Sequence, residues 1–208
     1  MRFGYARRVN SDPTPITDPR ALRAIAHPLR VRLLHELHAT GVARAADLAR
    51  TLDVPANQAS FHLRTLARYG LVEEAPEHAR DRRDRVWRPV SEGGYTVDPD
   101  VLDEAAGGPT AVRIFRQSSQ AWTQEAVRAF FPASEERPSD ADLALSQAAM
   151  RLTPAEAEAA MAELQAVVKR WSQHGRDRTR DGDTDDRATY LGLLMLQPYP
   201  ESLRETER

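Results

Sequence analysis

No cysteine occurs among the 208 residues. That excludes a disulfide scaffold, thiolate-bound zinc, a thiol nucleophile and a thiol redox sensor. Lysine occurs once, at Lys169, so the basic chemistry of the chain is arginine chemistry. Long apolar runs are also missing. The longest strongly apolar stretch, Leu191–Leu196, falls far short of the ~20 residues needed to span a bilayer. The first fifteen residues lack the apolar centre of a signal peptide. There is no glycine-rich phosphate loop, no nucleophile elbow and no His-Glu zinc helix. There is no internal repeat and no low-complexity tract. These absences point to a cytoplasmic protein with no membrane partner, no enzymatic activity and no cofactor.

What is present suits a globular chain of one or two domains, with 41% hydrophobic and 29% charged residues. The net charge of −2 hides an asymmetry. Residues 1–95 carry 16 arginines against 11 carboxylates, a balance of +5, and residues 96–208 carry −7. A basic front and an acidic back raise the expectation of a nucleic-acid partner for the front.

Residues 1–17 read as a flexible arm with Pro13 and Pro15. Asp18-Pro19 opens a first helix, since Asp caps and Pro fits the first helical position. His27-Pro28 breaks it and starts a second, whose stripe is Leu29, Leu33, Leu34 and Leu37. Ala45–Leu52 is a third short helix, Asp53-Val54-Pro55 a tight break, and Ala56–Tyr69 a fourth helix closed by Gly70. Leu71-Val72 and Arg85–Val90 read as the strands of a hairpin, with a charged tip between Arg80 and Arg85. Residues 18–92 thus form one domain, and the Gly- and Pro-punctuated stretch 93–109 reads as a linker.

Residues 110–208 form the second expected domain. Thr110–Phe131 is amphipathic, with Val112, Phe115, Ser119, Trp122, Ala126 and Phe130 on one stripe. Leu143–Leu152 reads as a strand. Thr153-Pro154-Ala155-Glu156 is a capping box that opens another helix, with Ala157, Met161, Leu164, Val168 and Trp171 inward and Gly175 at its end. Arg176–Arg187 reads as a charged loop and Tyr190–Leu196 as a buried strand. The expected fold is mainly α with small β: an N-terminal winged helix-turn-helix, then a C-terminal α+β domain ordered helix-strand-helix-strand.

The stretch Ala45–Tyr69 has helix-turn-helix form, in which the start of the second helix meets base edges in the major groove. His27-Pro28-Leu29-Arg30, Asp47-Leu48-Ala49, Gln58-Ala59-Ser60-Phe61-His62-Leu63-Arg64-Thr65-Leu66 and Gly70-Leu71-Val72 together resemble the arsenical-resistance-regulator (ArsR) type of winged-helix transcription regulators. The resemblance covers about Pro19–Val90. Two positions depart from the family's habit: Asp53 stands where glycine is frequent in the turn, and Pro55 where Ser or Thr often caps the recognition helix.

The resemblance implies a DNA face carrying Asn57, Gln58, Ser60, Phe61, His62 and Arg64, with Arg68 further along the helix. Asn and Gln can read adenine bidentately, and Arg reads guanine or holds phosphate. For His62, packing the helix is an equal alternative, and Phe61 either packs toward the wing or touches thymine methyls. At the hairpin tip Arg80, Arg82, Arg83 and Arg85 suit phosphate or minor-groove contact. Asp81 and Asp84 interleave with them and offer a salt-bridged alternative.

Part of the family senses metals through cysteine, and none is present. His35 and His38 lie three apart on one helix but lack an evident third ligand, so no metal is expected. The acidic run Asp181–Asp186 fails the spacing of a calcium loop, which needs Gly at the sixth position and Glu at the twelfth. The expected function is a transcriptional regulator, a repressor, binding double-stranded DNA as a homodimer, with a small-molecule effector as a further candidate partner. Two rivals remain open: a winged-helix protein-interaction module without DNA binding, and a small enzyme with its site in residues 110–200.

Overall fold

The computed structural model describes residues 13–80, 84–98, 101–102, 104–135, 144–180 and 187–198. The chain divides into two units at Ala144/Leu145. In the first, β1 (Thr14–Ile16) leads into α1 (Pro19–Ile25) and α2 (Pro28–Thr40). The short β2 (Ala43–Arg44) precedes α3 (Ala45–Thr51) and α4 (Ala56–Arg68). Then follow β3 (Val72–Glu74), a 3-10 turn at Pro76–His78, β4 (Val86–Pro89), β5 (Tyr95–Val97) and α5 (Gly108–Glu135).

Local signals set the helix ends as the sequence implies. Asp18 accepts from the Arg20 N–H at 2.8 Å and caps α1. The His27 imidazole accepts from the Leu29 N–H at 3.2 Å and caps α2, with Pro28 at its first position. Gly70 takes the left-handed conformation, φ 69°, and Leu71 N–H reaches back to the Leu66 carbonyl at 3.1 Å.

β3 and β4 form the antiparallel wing, with Glu73 opposite Arg88 and Glu74 opposite Trp87. The two-residue β2 joins the free edge of β4. Its brevity kept it out of the sequence reading. The core gathers Leu22, Leu33, Leu37, Leu63, Leu66, Val72 and Trp87, all buried.

Residues read as arm and linker take part in this packing. β1 pairs in parallel with β5, Thr14 opposite Tyr95, and Leu102 is fully buried. α5 runs past both predicted ends. Its Ala111 and Val112 are buried in the same core, with Phe115 packed against it. Ser118 donates its hydroxyl to the Ala26 carbonyl at 2.5 Å. The aromatic stripe of α5 therefore starts on the winged-helix region, not inside a separate C-terminal core.

The second unit holds α6 (Pro154–Arg180). The capping box forms as read: the Thr153 N–H and hydroxyl both donate to Glu156, at 2.7 and 2.8 Å, and the Glu156 N–H returns to Thr153 at 3.3 Å. These bonds hold the Glu156 carboxyl below its usual range. The helix passes Gly175, which a helix tolerates away from its ends at modest cost, so Arg176–Arg180 is helical and not loop.

The helix-strand-helix-strand order is corrected. Ala144–Leu152 carries no strand and is exposed, and Tyr190–Leu196 carries none either, exposed up to Met195 with Leu196 half-buried. Ala144, Ser146 and Ala148 offer too little side chain to hold a sheet face. The apolar run at 190–196 finds no ladder partner among the described residues, and a short apolar run does not by itself specify a strand. Of the stripe expected to face inward on α6, Leu164, Val168 and Trp171 are exposed, Trp171 to 62%, and Ala157 and Met161 are half-buried. No described helix is long and apolar enough to cross a membrane.

Candidate nucleic-acid interface

The helix pair α3 and α4 is joined by Leu52–Pro55. Val54 N–H donates to the Ala49 carbonyl at 2.9 Å and Asp53 N–H to the Arg50 carbonyl at 3.3 Å. Asp53 takes φ 51°, the left-handed conformation that glycine favours. Aspartate is among the few other residues that enter it readily, so the departure at this position preserves the turn. Pro55 occupies the cap of α4 without a side-chain bond. The Asn57 side-chain oxygen instead accepts from the Gln58 N–H at 2.9 Å.

α4 is sharply two-faced. Ala59, His62, Leu63 and Leu66 are buried, and Asn57, Gln58, Phe61, Arg64 and Arg68 are exposed. Spacings of four, three and four put Asn57, Phe61, Arg64 and Arg68 on one stripe. Gln58 stands beside its first turn, and Ser60 is half-buried at its margin. Phe61 is 58% exposed. Arg64 and Arg68 make no ion pair among the described residues.

His62 does not share this face. It is 6% exposed, with its ring centroid 4.5 Å from that of His27 and Nδ1 3.5 Å from the Arg30 guanidinium. Arg30 also donates to the carbonyls of Ala24 and Arg23 at the end of α1. The His-Pro-Leu-Arg motif thereby has a physical meaning: it caps α2, closes α1 and backs the recognition helix. Burial, then the neighbouring charges, hold both imidazoles below the usual histidine range.

The wing is more neutralised than its arginine count suggests. Arg85 pairs with Glu74 at 2.7 Å, and Arg88 with Glu73 at 2.9 Å and Glu77 at 2.5 Å. Arg80 is exposed, and its backbone N–H donates to Asp84 at 3.3 Å. Arg82 and Arg83 lie outside the described residues, as do Asp81 and the acidic run 181–186.

Two arginines beside the helix pair were not singled out from sequence. Arg44 grips Asp47 with two bonds at 2.6 and 2.9 Å, and Arg50 reaches the same carboxylate at 2.8 Å. Arg50 stays largely exposed next to the turn. Its place at the end of the first helix of the pair was a usable signal, since that helix crosses the DNA backbone in this motif. Among the described residues no three His, Asp or Glu side chains gather into a metal cluster.

Residues 25–75, from the end of α1 through the wing's first strand, match the family model described as a helix-turn-helix domain. No curated protein matches the chain. Among solved structures it is similar to the homodimeric winged helix-turn-helix DNA-binding domain (fragment 1–100) of Mb0332 from Mycobacterium bovis, given as a possible ArsR-family transcriptional regulator. The identity is 21%, over 61% of this chain and 85% of that one, with a TM-score of 0.30. The element order and the family match together define the N-terminal region as a winged helix-turn-helix domain.

Proposed function

We propose that this protein is a DNA-binding transcriptional regulator, a cytoplasmic repressor that sits on a two-fold operator as a homodimer. The observation that carries the reading is the exposed stripe of α4. It presents two amides, a phenyl ring and two arginines without a carboxylate partner among the described residues, while the opposite face anchors the helix in the core. In this role Asn57 and Gln58 meet adenine edges, Arg64 meets guanine or phosphate, and Phe61 meets a thymine methyl. Ser60 and Arg68 flank them, and Arg80, Arg82, Arg83 and Arg85 hold the backbone beside the wing. His62 positions the helix from behind.

One such helix reads a short half-site, so paired domains on paired half-sites supply the remaining specificity. The stripe Ala157, Met161, Leu164, Val168 and Trp171 on α6, exposed from Leu164 onward, repeats at four and three residues. That is the spacing of a helix-pairing seam, which makes α6 the favoured homodimer contact. α1 is a poorer candidate, since α5 of the same chain already covers it.

Exposed Phe61 also favours a second reading, a winged-helix module that binds protein. Selection from a random duplex pool with purified protein separates the two. Enrichment of a two-fold motif supports the regulator. A flat pool with no retained duplex supports the protein-binding module.

A further inference from the structure

We propose that the groove between α2 and α5 is a binding site for an uncharged aromatic small molecule. It goes beyond the DNA reading and does not depend on it. The groove encloses about 630 Å³, within the range of small-ligand sites, roughly 300–1,000 Å³. Ile25, Val31 and Leu34 form one side, and Phe115 and Trp122 the other. These walls take up a flat apolar ring by offset or edge contact.

The charge of the occupant follows from the lining. No arginine or lysine lines the groove to hold an anion, and its one carboxylate, Glu125, is solvent-exposed. The polar handle is His35. Its ring stands edge-on to Trp122, 4.9 Å between centroids, and makes no hydrogen bond among the described residues. Burial, and after it the neighbouring His38, hold this imidazole below its usual range. A neutral imidazole offers one donor and one acceptor to a ligand's polar group.

The groove is tied to the wing. His38 places its two ring nitrogens on the carbonyls of Leu34 and Ser91, at 2.7 and 3.1 Å. Tyr95, 5.8 Å from His38 between ring centroids, donates its hydroxyl to the Leu71 carbonyl. Leu71 precedes the first wing strand and Ser91 follows the last, so the site lies on the elements that set the wing's position.

The test is titration of the full chain with N-phenyl-1-naphthylamine, an uncharged aromatic amine whose fluorescence rises in apolar surroundings. The expected result is saturable binding, one probe per chain, with the sulfonated anilinonaphthalene at least about tenfold weaker. Ala121→Trp fills the groove from an exposed position of α5 and should weaken the probe by about tenfold or more while leaving the melting temperature unchanged. His35→Leu removes the polar handle and should weaken it by about threefold to tenfold. Three results overturn the proposal: no saturable binding, equal affinity for the sulfonate, or wild-type affinity in Ala121→Trp. A fourth is probe affinity that falls as protein concentration rises and the chain dimerises, which makes the groove a face for a second copy. None of these bears on DNA binding, which is measured separately.

Discussion

The imidazole of His62, on the buried face of the recognition helix, lies 4.5 Å from that of His27, the residue that caps α2. Arg30 stands beside both, donating to α1 and facing His62 at 3.5 Å. Three helices are therefore fixed by a cluster of which two members are imidazoles. Both imidazoles are held below the ordinary value of 6.5, so the unfolded chain takes up these protons first. Stability is complete above that value and declines as the pH falls through it toward the folded values. Urea midpoints at pH 7.5, 6 and 5 should fall in that order. His62→Phe should flatten the decline, and an unchanged slope in that variant would show that the acid sensitivity arises elsewhere.

The turn of the helix pair rests on Asp53 at φ 51°. Asp53→Val places a β-branched residue in the left-handed region and should cost about 1–2 kcal/mol. Asp53→Gly should stay within about 0.5 kcal/mol of wild type, since the side chain it removes is exposed. Equal destabilisation by both in urea unfolding would mean that the aspartate side chain, and not the backbone conformation, holds the turn.

Trp87 is buried at the centre of the wing sheet, and its indole N–H has no hydrogen-bond partner among the described residues. Trp87→Phe therefore removes volume but no bond and should cost about 1–3 kcal/mol, less than Trp87→Ala at about 3–5 kcal/mol. Matching costs would reveal an acceptor for the indole.

The parts of the fold that the residues announced are those with local causes. Asp18-Pro19, His27-Pro28, Gly70 and Thr153–Glu156 each satisfy a helix end within a few residues, and each stands where expected. The wing strands followed from Val72 and from Val86 and Trp87. What stayed hidden depends on distant partners. β1 and β5 are three residues each and pair across about eighty positions, which no local pattern records. The strands expected at 143–152 and 190–196 failed, over their described residues, because alternation and apolar character do not supply a ladder. On the interface, exposure separated His62 from its neighbours. Periodicity alone groups it with the core residues Ala59, Leu63 and Leu66, whereas the family motif placed it near DNA.

On the exposed side of α4, Gln58→Ala should weaken binding to the selected operator by about 1–3 kcal/mol and leave random duplex nearly unaffected. Equal weakening on both, in competition by fluorescence anisotropy, would remove Gln58 from the base-reading set.

The DNA-binding claim is tested most directly by the salt dependence of operator affinity for the wild-type chain and for Arg64→Ala with Arg68→Ala. The expected wild-type plot of log K against log salt is linear, with a slope of about −5 or steeper for a dimer that neutralises six or more phosphates. The double variant should flatten it by about 1 for each phosphate that its arginines no longer neutralise. Identical slopes for the two proteins, or no salt-dependent binding at all, would contradict the assignment of α4 as the DNA-contacting helix.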